Sequence, residues 1–410
     1  MSGDKLKKRI FISMHYMELG GAEISLIGLL QALDYEKYDV DLFIHRHQGE
    51  LMAFIPKEVK LLPEDPAYAC IESPVMETLR RGQFGVAWGR WKAKRRMKDY
   101  KPQNPSNSQC AIYQYVAQEV ERYLPSLEKY GVYDLAISFI QPHNYVLSKV
   151  RAKKKVCWIH TDYTKVEFDI DAEQPIWASY DHVVSISREV TKTFLQVFPS
   201  LNDKIIEIEN ILSSDFVRRR ANEIDVSDEM PRKSDAINVL SVGRFTDAKN
   251  YDNVPDICRR INSLLSTLHS SFSVRWFIVG YGAEEYLIKQ KIQEAGMEEY
   301  VILLGKRTNP YPYMKACDIY AQPSRYEGKS VTVREAQMLC KPVVVTDYPT
   351  AKSQIQYGVD GMIVPMDNEN CAKGMADFIL NTDLQSRIVD FLHQHDYGNV
   401  SEIEKLYQII

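Results

Sequence analysis

The chain has 410 residues, 45% of them apolar and 26% charged, with a formal net charge of -4. That length leaves room for two domains, and the balance is that of an ordinary globular protein rather than one built to coat nucleic acid. The seven cysteines, at 70, 110, 157, 258, 317, 340 and 371, show neither zinc-ligand nor redox spacing, and an odd, unclustered set fits a reducing compartment. No stretch approaches the roughly 18 apolar residues of a spanning helix. The opening MSGDKLKKRIFISMHYMELGG reads as a first strand, not a secretory signal. A cytoplasmic protein is expected.

In chain order, short β-rich runs alternate with helical patterns, the rhythm of parallel sheets covered by helices. The first half offers RIFISM (9–14), DVDLFI (39–44), YDLAISFI (133–140), KVCWIH (155–160), HVVSIS (182–187) and KIIEIEN (204–210) as strands, with a helical pattern over 20–33. Residues 80–98, RRGQFGVAWGRWKAKRRMK, break the rhythm with eight basic residues, no acidic one, and Phe84, Trp88 and Trp91 interleaved. They read as a solvated helix face or as a segment lying on an anionic membrane surface, with nucleic acid a third and weaker reading. Residues 213–236 are polar without a clear apolar period and are expected to form an interdomain linker. The second half offers INVLSVG (237–243), VRWFIVG (274–280), YVILLG (300–305), DIYAQPS (318–324), KPVVVTD (341–347) and GMIVP (361–365), with helices over 250–267, 283–295 and 368–380. The expected domains are 1–212 and 237–395, and residues 396–410 form a last helix that could pack back on the first domain.

The second half carries the chemistry. Three strands end in glycine, at Gly243, at Gly280 with Gly282, and at Gly305, and glycine lets a ligand approach the backbone closely. In an open parallel sheet the ligand lies outside the carboxyl ends of the strands. Arg244 and Lys249 follow the first of these glycines and are placed to hold a diphosphate; otherwise they are plain surface cations. Further on, SRYEGKSVTVREAQMLCKPVVV spans 324–345, with seven residues between Glu327 and Glu335. Ser330 is a candidate N-cap, so Lys329, Ser330, Val331 and Thr332 would offer N–H groups to a phosphate. Glu335, a turn into the helix, would accept from a ribose diol, and Glu327 would meet sugar hydroxyls. A ligand with both an anion and hydroxyls, such as a nucleotide sugar, satisfies that set. Two exposed acids are the plainer alternative.

The frame PSRYEGKSVTVREAQMLCKPVVV resembles the Glu, seven residues, Glu signature of the family 4 glycosyltransferases of the GT-B fold. VGRFTDAKN (242–250), IVGYG (278–282), LLGKRTNPYPYM (303–314) and GVDGMIVP (358–365) follow the family's order, as do GGAE (20–23), IH (159–160), SIS (185–187) and EN (209–210) in the first half. The resemblance implies an α/β protein with two Rossmann-like domains, their parallel sheets facing across a cleft. It implies transfer of a hexose, with retention, from a nucleotide-diphosphate sugar (a UDP-sugar foremost) to a glycan or lipid-linked glycan in surface polysaccharide assembly. Glu335 would bind the donor ribose, Glu327 the sugar hydroxyls, and Arg244 with Lys249 the diphosphate. Backbone groups near Lys306 and Arg307 would read the base. The Gly20–Gly21 turn would approach the phosphates from the other domain, and His160 would be the cleft histidine. Lys329–Ser330 departs from the larger apolar residue common in the family, and 63–110 matches no general motif.

No metal or other cofactor is expected where protein cations neutralise the leaving group. Asp169-Ile170-Asp171 resembles the Asp-x-Asp metal motif of another glycosyltransferase fold but lacks its frame. The rival readings are a nucleotide-sugar epimerase of the same fold and a non-catalytic sugar-nucleotide-binding protein. A glycosidase fits poorly, because both acids lie on one loop and helix. A dinucleotide oxidoreductase lacks the third glycine and the following acid. The expected partners are the donor, the acceptor and an anionic membrane surface through 80–98, reached at the inner face, with no nucleic acid.

Overall fold

The structure is a computed structural model that describes residues 7–18, 20–101, 108–109, 111–268, 272–328 and 330–410. Cys110 and Lys329 fall outside that set. The chain divides into two units, Met1–Leu212 with Asn399–Ile410, and Ser213–Gly398.

In the first unit seven strands form one sheet: β1 (Lys8–Met14), β2 (Tyr38–Ile44), β3 (Lys60–Leu61), β4 (Val132–Ser138), β5 (Arg151–Ile159), β6 (His182–Ser185) and β7 (Ile205–Glu207). Their order is β3-β2-β1-β4-β5-β6-β7, with every pairing parallel. The carboxyl halves of β1, β2 and β5 are buried without alternation, as expected of strands covered on both faces. Helix α1 (Gly21–Ala32) follows β1. At Gly28 a Cβ would stand 1.9 Å from the Ile211 carbonyl oxygen, so only glycine lets α1 meet that segment. Next come α2 (Val75–Arg80), α3 (Phe84–Asp99) and α4 (Ile170–Ala178).

The second unit opens with α5 (Ser214–Arg220), capped by the Ser213 hydroxyl, which accepts from the Phe216 N–H at 3.3 Å. Its sheet contains β8 (Ala236–Val242), β9 (Ser273–Val279), β10 (Val301–Gly305), β11 (Ile319–Gln322), β12 (Val343–Thr346) and β13 (Met362–Val364). All pairings are parallel in the order β10-β9-β8-β11-β12-β13. This repeats the winding of the first sheet, so each sheet reverses direction once, between β1 and β4 and between β8 and β11. Helices α6 (Val254–Thr267), α7 (Tyr311–Ala316), α8 (Val331–Met338) and α9 (Asn368–Leu380) join and cover the strands. At the reversal, the buried Trp276 indole donates to Ser241 Oγ at 2.9 Å and that hydroxyl donates to the Ala321 carbonyl at 2.7 Å, tying three strands together.

One segment differs from the sequence reading and another follows it. Residues 213–236 lie within the second unit rather than forming a free linker. Val217, Arg220, Val226 and Met230 are buried, and the Asn309 amide donates to the Arg220 carbonyl at 2.8 Å. A seven-residue helix followed by irregular chain is too short to show an apolar period. At the other end, the chain returns to the first unit at Asn399, through α10 (Ile403–Ile409). Tyr407 stacks on Tyr38 with ring centroids 4.7 Å apart, and its hydroxyl accepts from the Asp34 N–H at 2.7 Å.

Candidate functional site

The loops after β8, β9, β10 and β11 meet at the carboxyl edge of the second sheet. Gly243 N–H donates to the Val279 carbonyl, Phe245 N–H to that of Tyr281, and Gly280 N–H to that of Gly305. At two of these glycines the packing of the loops on one another also demands the absence of a side chain. A Cβ on Gly280 would stand 1.9 Å from the Gly243 oxygen, and one on Gly282 2.5 Å from the Phe245 oxygen. They let the loops pack on one another. The β8 and β11 loops are laced across the reversal point. Arg325 reaches both carboxylate oxygens of Asp252, at 3.0 and 2.9 Å, and the Asn250 amide donates to the Pro323 carbonyl at 2.9 Å.

This lacing presents Glu327. Its Oε1 accepts three hydrogen bonds, from Lys249 Nζ at 2.5 Å, Ser324 Oγ at 2.6 Å and Gln322 Nε2 at 2.8 Å. Gln322 is itself fully buried and takes the Tyr320 hydroxyl at 2.8 Å. Among the described residues Oε2 has no hydrogen-bond partner. One carboxylate oxygen is thus fixed and the other is open for a hydroxyl. Arg244 is exposed and forms no ion pair among the described residues, so the structure joins Lys249 to Glu327 directly but does not bring Arg244 to either acid.

Glu335 sits on α8 and is 2% exposed. Burial pushes its carboxyl up to about 7, against the Tyr311 hydroxyl, which donates to Oε1 at 2.7 Å. Ser330 occupies the N-cap position but makes no side-chain cap bond. Its N–H is taken by Gln354 Oε1 at 3.1 Å, and its hydroxyl lies 3.1 Å from Thr332 Oγ1. Ser330 therefore does not offer the free N–H expected of it; a side chain from 24 residues downstream occupies that donor. The N–H groups of Val331 and Thr332 find no acceptor among the described residues, and they remain available to an anion at the start of this eight-residue helix. Lys329 lies outside the described residues.

After β10, Lys306 is exposed with its ammonium 5.2 Å from the Tyr281 ring centroid. The Arg307 guanidinium binds the Glu229 carboxylate and donates to the Tyr313 hydroxyl at 2.8 Å. Its side chain is held by protein, so only its backbone is left for the base-reading role. In the first unit, Gly20 precedes α1 with the Glu23 carboxylate folded over it, and a Cβ on Gly21 would meet nothing within 4 Å. His160 follows β5 beside Phe139, ring centroids 4.7 Å apart. Burial lowers its ring to about 4, so it is neutral at pH 7. Its buried Nε2 has no partner among the described residues.

Asp169, half of the Asp-x-Asp resemblance, caps α4. It accepts from the Ala172 N–H at 3.1 Å and the Tyr115 hydroxyl at 2.7 Å, with Arg96 3.7 Å away. Its carboxylate serves the fold. Gln322, Ser324, Tyr311 and Gln354 were not singled out from the sequence. A glutamine in an otherwise apolar strand, IYAQ, was the one available signal.

Comparison with known proteins fits this geometry. Residues 224–391 match the family described as "Glycosyl transferases group 1". A Campylobacter jejuni enzyme named N-acetylgalactosamine-N,N'-diacetylbacillosaminyl-diphospho-undecaprenol 4-alpha-N-acetylgalactosaminyltransferase is 33% identical over 134 residues, 32% of this chain and 34% of its own length. The amylovoran biosynthesis glycosyltransferase AmsD of Erwinia amylovora is 26% identical over 175 residues, 42% of this chain and 47% of its own. The alignments thus span under half of these relatives. Among solved structures, that of Anabaena Alr3699/HepE in complex with UDP is similar over 98% of this chain and 99% of its own, with TM-score 0.63 and 17% identity. The chain has the GT-B fold, and its residues 224–391 are similar to the glycosyl transferases group 1 family.

Proposed function

We propose that this chain transfers a hexose from a UDP-sugar to a glycan or lipid-linked glycan acceptor, with retention, in surface polysaccharide assembly. The observation that carries the reading is the pair of acids around the start of α8: Glu327 anchored through one oxygen by Lys249, Gln322 and Ser324, and Glu335 buried with a raised carboxyl beside Tyr311. A ribose diol donating to Glu335 would favour its ionised form. Glu327 Oε2 would orient the sugar hydroxyls. Lys249, Arg244 and the N–H groups of Val331 and Thr332 would take up charge as the diphosphate departs. Protein cations do this without a metal on this reading, and the acceptor hydroxyl attacks from the face the diphosphate leaves. On this reading His160 and the Gly20–Gly21 turn of the first unit also bind substrate. The names of the relatives, one of which refers to a diphospho-undecaprenol and the other to amylovoran biosynthesis, support the acceptor class, and the UDP in the HepE complex supports the donor.

Association with an anionic membrane surface belongs to the same reading. Phe84, Trp88 and Trp91 on α3 are 67%, 50% and 49% exposed, and Met76 on α2 is 64% exposed. Trp88 and Trp91 stack 4.8 Å apart, with Lys92 and Arg95 over their rings. Arg90 and Arg96 instead turn inward, to the Ser73 carbonyl and to Gln118. Aromatic rings beside outward cations suit a headgroup layer. Among the described residues no helix is long and apolar enough to cross a membrane.

A thermal-shift panel of nucleotide sugars tests the donor. A UDP-sugar should stabilise the protein and fail to stabilise Glu335→Gln. Stabilisation by no nucleotide sugar would remove the reading, and turnover without any acceptor to an epimeric nucleotide sugar would replace it with an epimerase.

A further inference from the structure

Polar side chains between α5 and β8 converge on one target, the loop after β10 and the start of α7. Glu223 accepts from the Asn309 amide at 3.0 Å and pairs with Arg220 at 3.0 Å. Asn309 is buried, and its own Oδ1 takes the Tyr311 N–H at 3.3 Å.

Six residues further along the chain, Glu229 closes a ring with Arg307 and Tyr313. Arg307 Nε donates to the Tyr313 hydroxyl at 2.8 Å, that hydroxyl donates to Glu229 Oε1 at 2.7 Å, and Glu229 Oε2 takes the Arg307 guanidinium. A closed ring fixes the guanidinium in orientation as well as in position. Arg307 Nη1 also donates to the Lys306 carbonyl at 3.4 Å, so the ring reaches the Lys306–Arg307 peptide itself. The Tyr313 hydroxyl, with Arg307 behind it, holds the Glu229 carboxyl below its ordinary value, which keeps it ionised at pH 7. The Glu229 side chain is 45% exposed and that of Arg307 34%. Solvent screens such a pair, which therefore adds little to overall stability. Its effect is on where the loop sits.

The same loop touches the donor site. Tyr311, between Asn309 and Tyr313, donates to Glu335 at 2.7 Å. With a ribose on Glu335 and the diphosphate at the start of α8, the base would leave the ribose away from the phosphates, toward the loop that leads into Tyr311. We propose that Glu229 is a positioning residue for base selection, holding Arg307 and Tyr313 so that the backbone of residues 306 and 307 meets the base at a fixed place. The assignment rests on the nucleotide-sugar reading given above.

Calorimetry on the full chain tests it with UDP, CDP, ADP and GDP, and with ribose 5-diphosphate, which has no base. The parent should prefer one nucleotide. Glu229→Ala should weaken that nucleotide about tenfold, the effect of one misaligned hydrogen bond. It should also narrow the margin over the other three and leave ribose 5-diphosphate bound as in the parent. Glu229→Gln, which keeps an oxygen for the Tyr313 hydroxyl, should bind between the two. The double change Glu229→Ala with Arg307→Ala should bind no more weakly than the weaker single variant, because Glu229 acts through Arg307. Additive losses in the double variant would overturn the assignment. So would an equal loss for nucleotide and ribose 5-diphosphate, which would mean a general loosening of the unit. A parent that binds its nucleotide while Glu229→Ala matches it ends this assignment alone. A parent that binds none of the five ligands ends the nucleotide-sugar reading and the assignment with it.

Discussion

Replacing Glu335 with glutamine should move two quantities in opposite directions. The carboxyl is 2% exposed and burial raises it from 4.5 to about 7. A group whose folded pKa is raised favours the fold below its unfolded pKa and loses that contribution as pH climbs through the folded value. At 1.36 kcal/mol per unit, the free protein therefore gives up about 3 kcal/mol between pH 4.5 and 7 at this residue alone. Glutamine keeps an oxygen for the Tyr311 hydroxyl and carries no charge to bury. Glu335→Gln without ligand should then melt roughly 5–10 °C higher than the parent at pH 8, and near the parent at pH 5. UDP binding should move the other way. A diol on the ionised carboxylate makes charge-assisted bonds of about 1.5–3 kcal/mol each, and losing one weakens UDP by roughly 10- to 150-fold. Parent affinity should also fall as pH drops below 7, because the carboxyl must first release its proton. UDP titrates near there too, so the quantity to measure is the difference between parent and variant. Calorimetry with UDP and melting curves at pH 5 and 8 supply it. A variant that binds UDP like the parent and melts no higher at pH 8 would refute both the burial argument and the diol assignment.

Four further outcomes follow from single contacts. Lys249→Met removes one of three donors to Glu327 Oε1 and a diphosphate cation, so kcat/KM should fall about 100- to 1000-fold with the fold intact by circular dichroism. Gly280→Ala drives a methyl to 1.9 Å from the Gly243 oxygen and should destabilise the second unit by about 2–4 kcal/mol, read as a lower denaturation midpoint. Asp169→Ala should cost about 1 kcal/mol as a lost cap, and transfer should survive a chelator; strict divalent dependence would show that a metal shares the diphosphate. The double change Trp88→Ala and Trp91→Ala should abolish co-sedimentation with anionic vesicles while leaving transfer to a soluble acceptor unchanged, and salt should release the parent.

Much of the fold was legible because its cause is local. Runs such as INVLSVG and VRWFIVG are apolar without alternation, which a strand tolerates only when both of its faces are covered. The alternation of such runs with helical patterns left few topologies beyond two wound sheets. The acids and cations of the second unit were legible as well, through residue types at fixed spacing after a strand. Less visible was any element too short to display a period. Residues 213–236 lacked one, yet Val217, Val226 and Met230 find a core supplied by the rest of the unit.

The sequence by itself determined which residues stand at the strand ends, because periodicity and turn chemistry act over neighbours a few positions apart. Only the tertiary structure decided how they pair. Gln322 from the end of β11, Ser324 from the loop after it and Lys249 from the segment after β8 converge on one oxygen of Glu327, and Gln354 reaches back to occupy the Ser330 N–H that a sequence reader assigns to a ligand. Such bonds depend on distances set by packing between segments remote in the chain, and no local pattern encodes them.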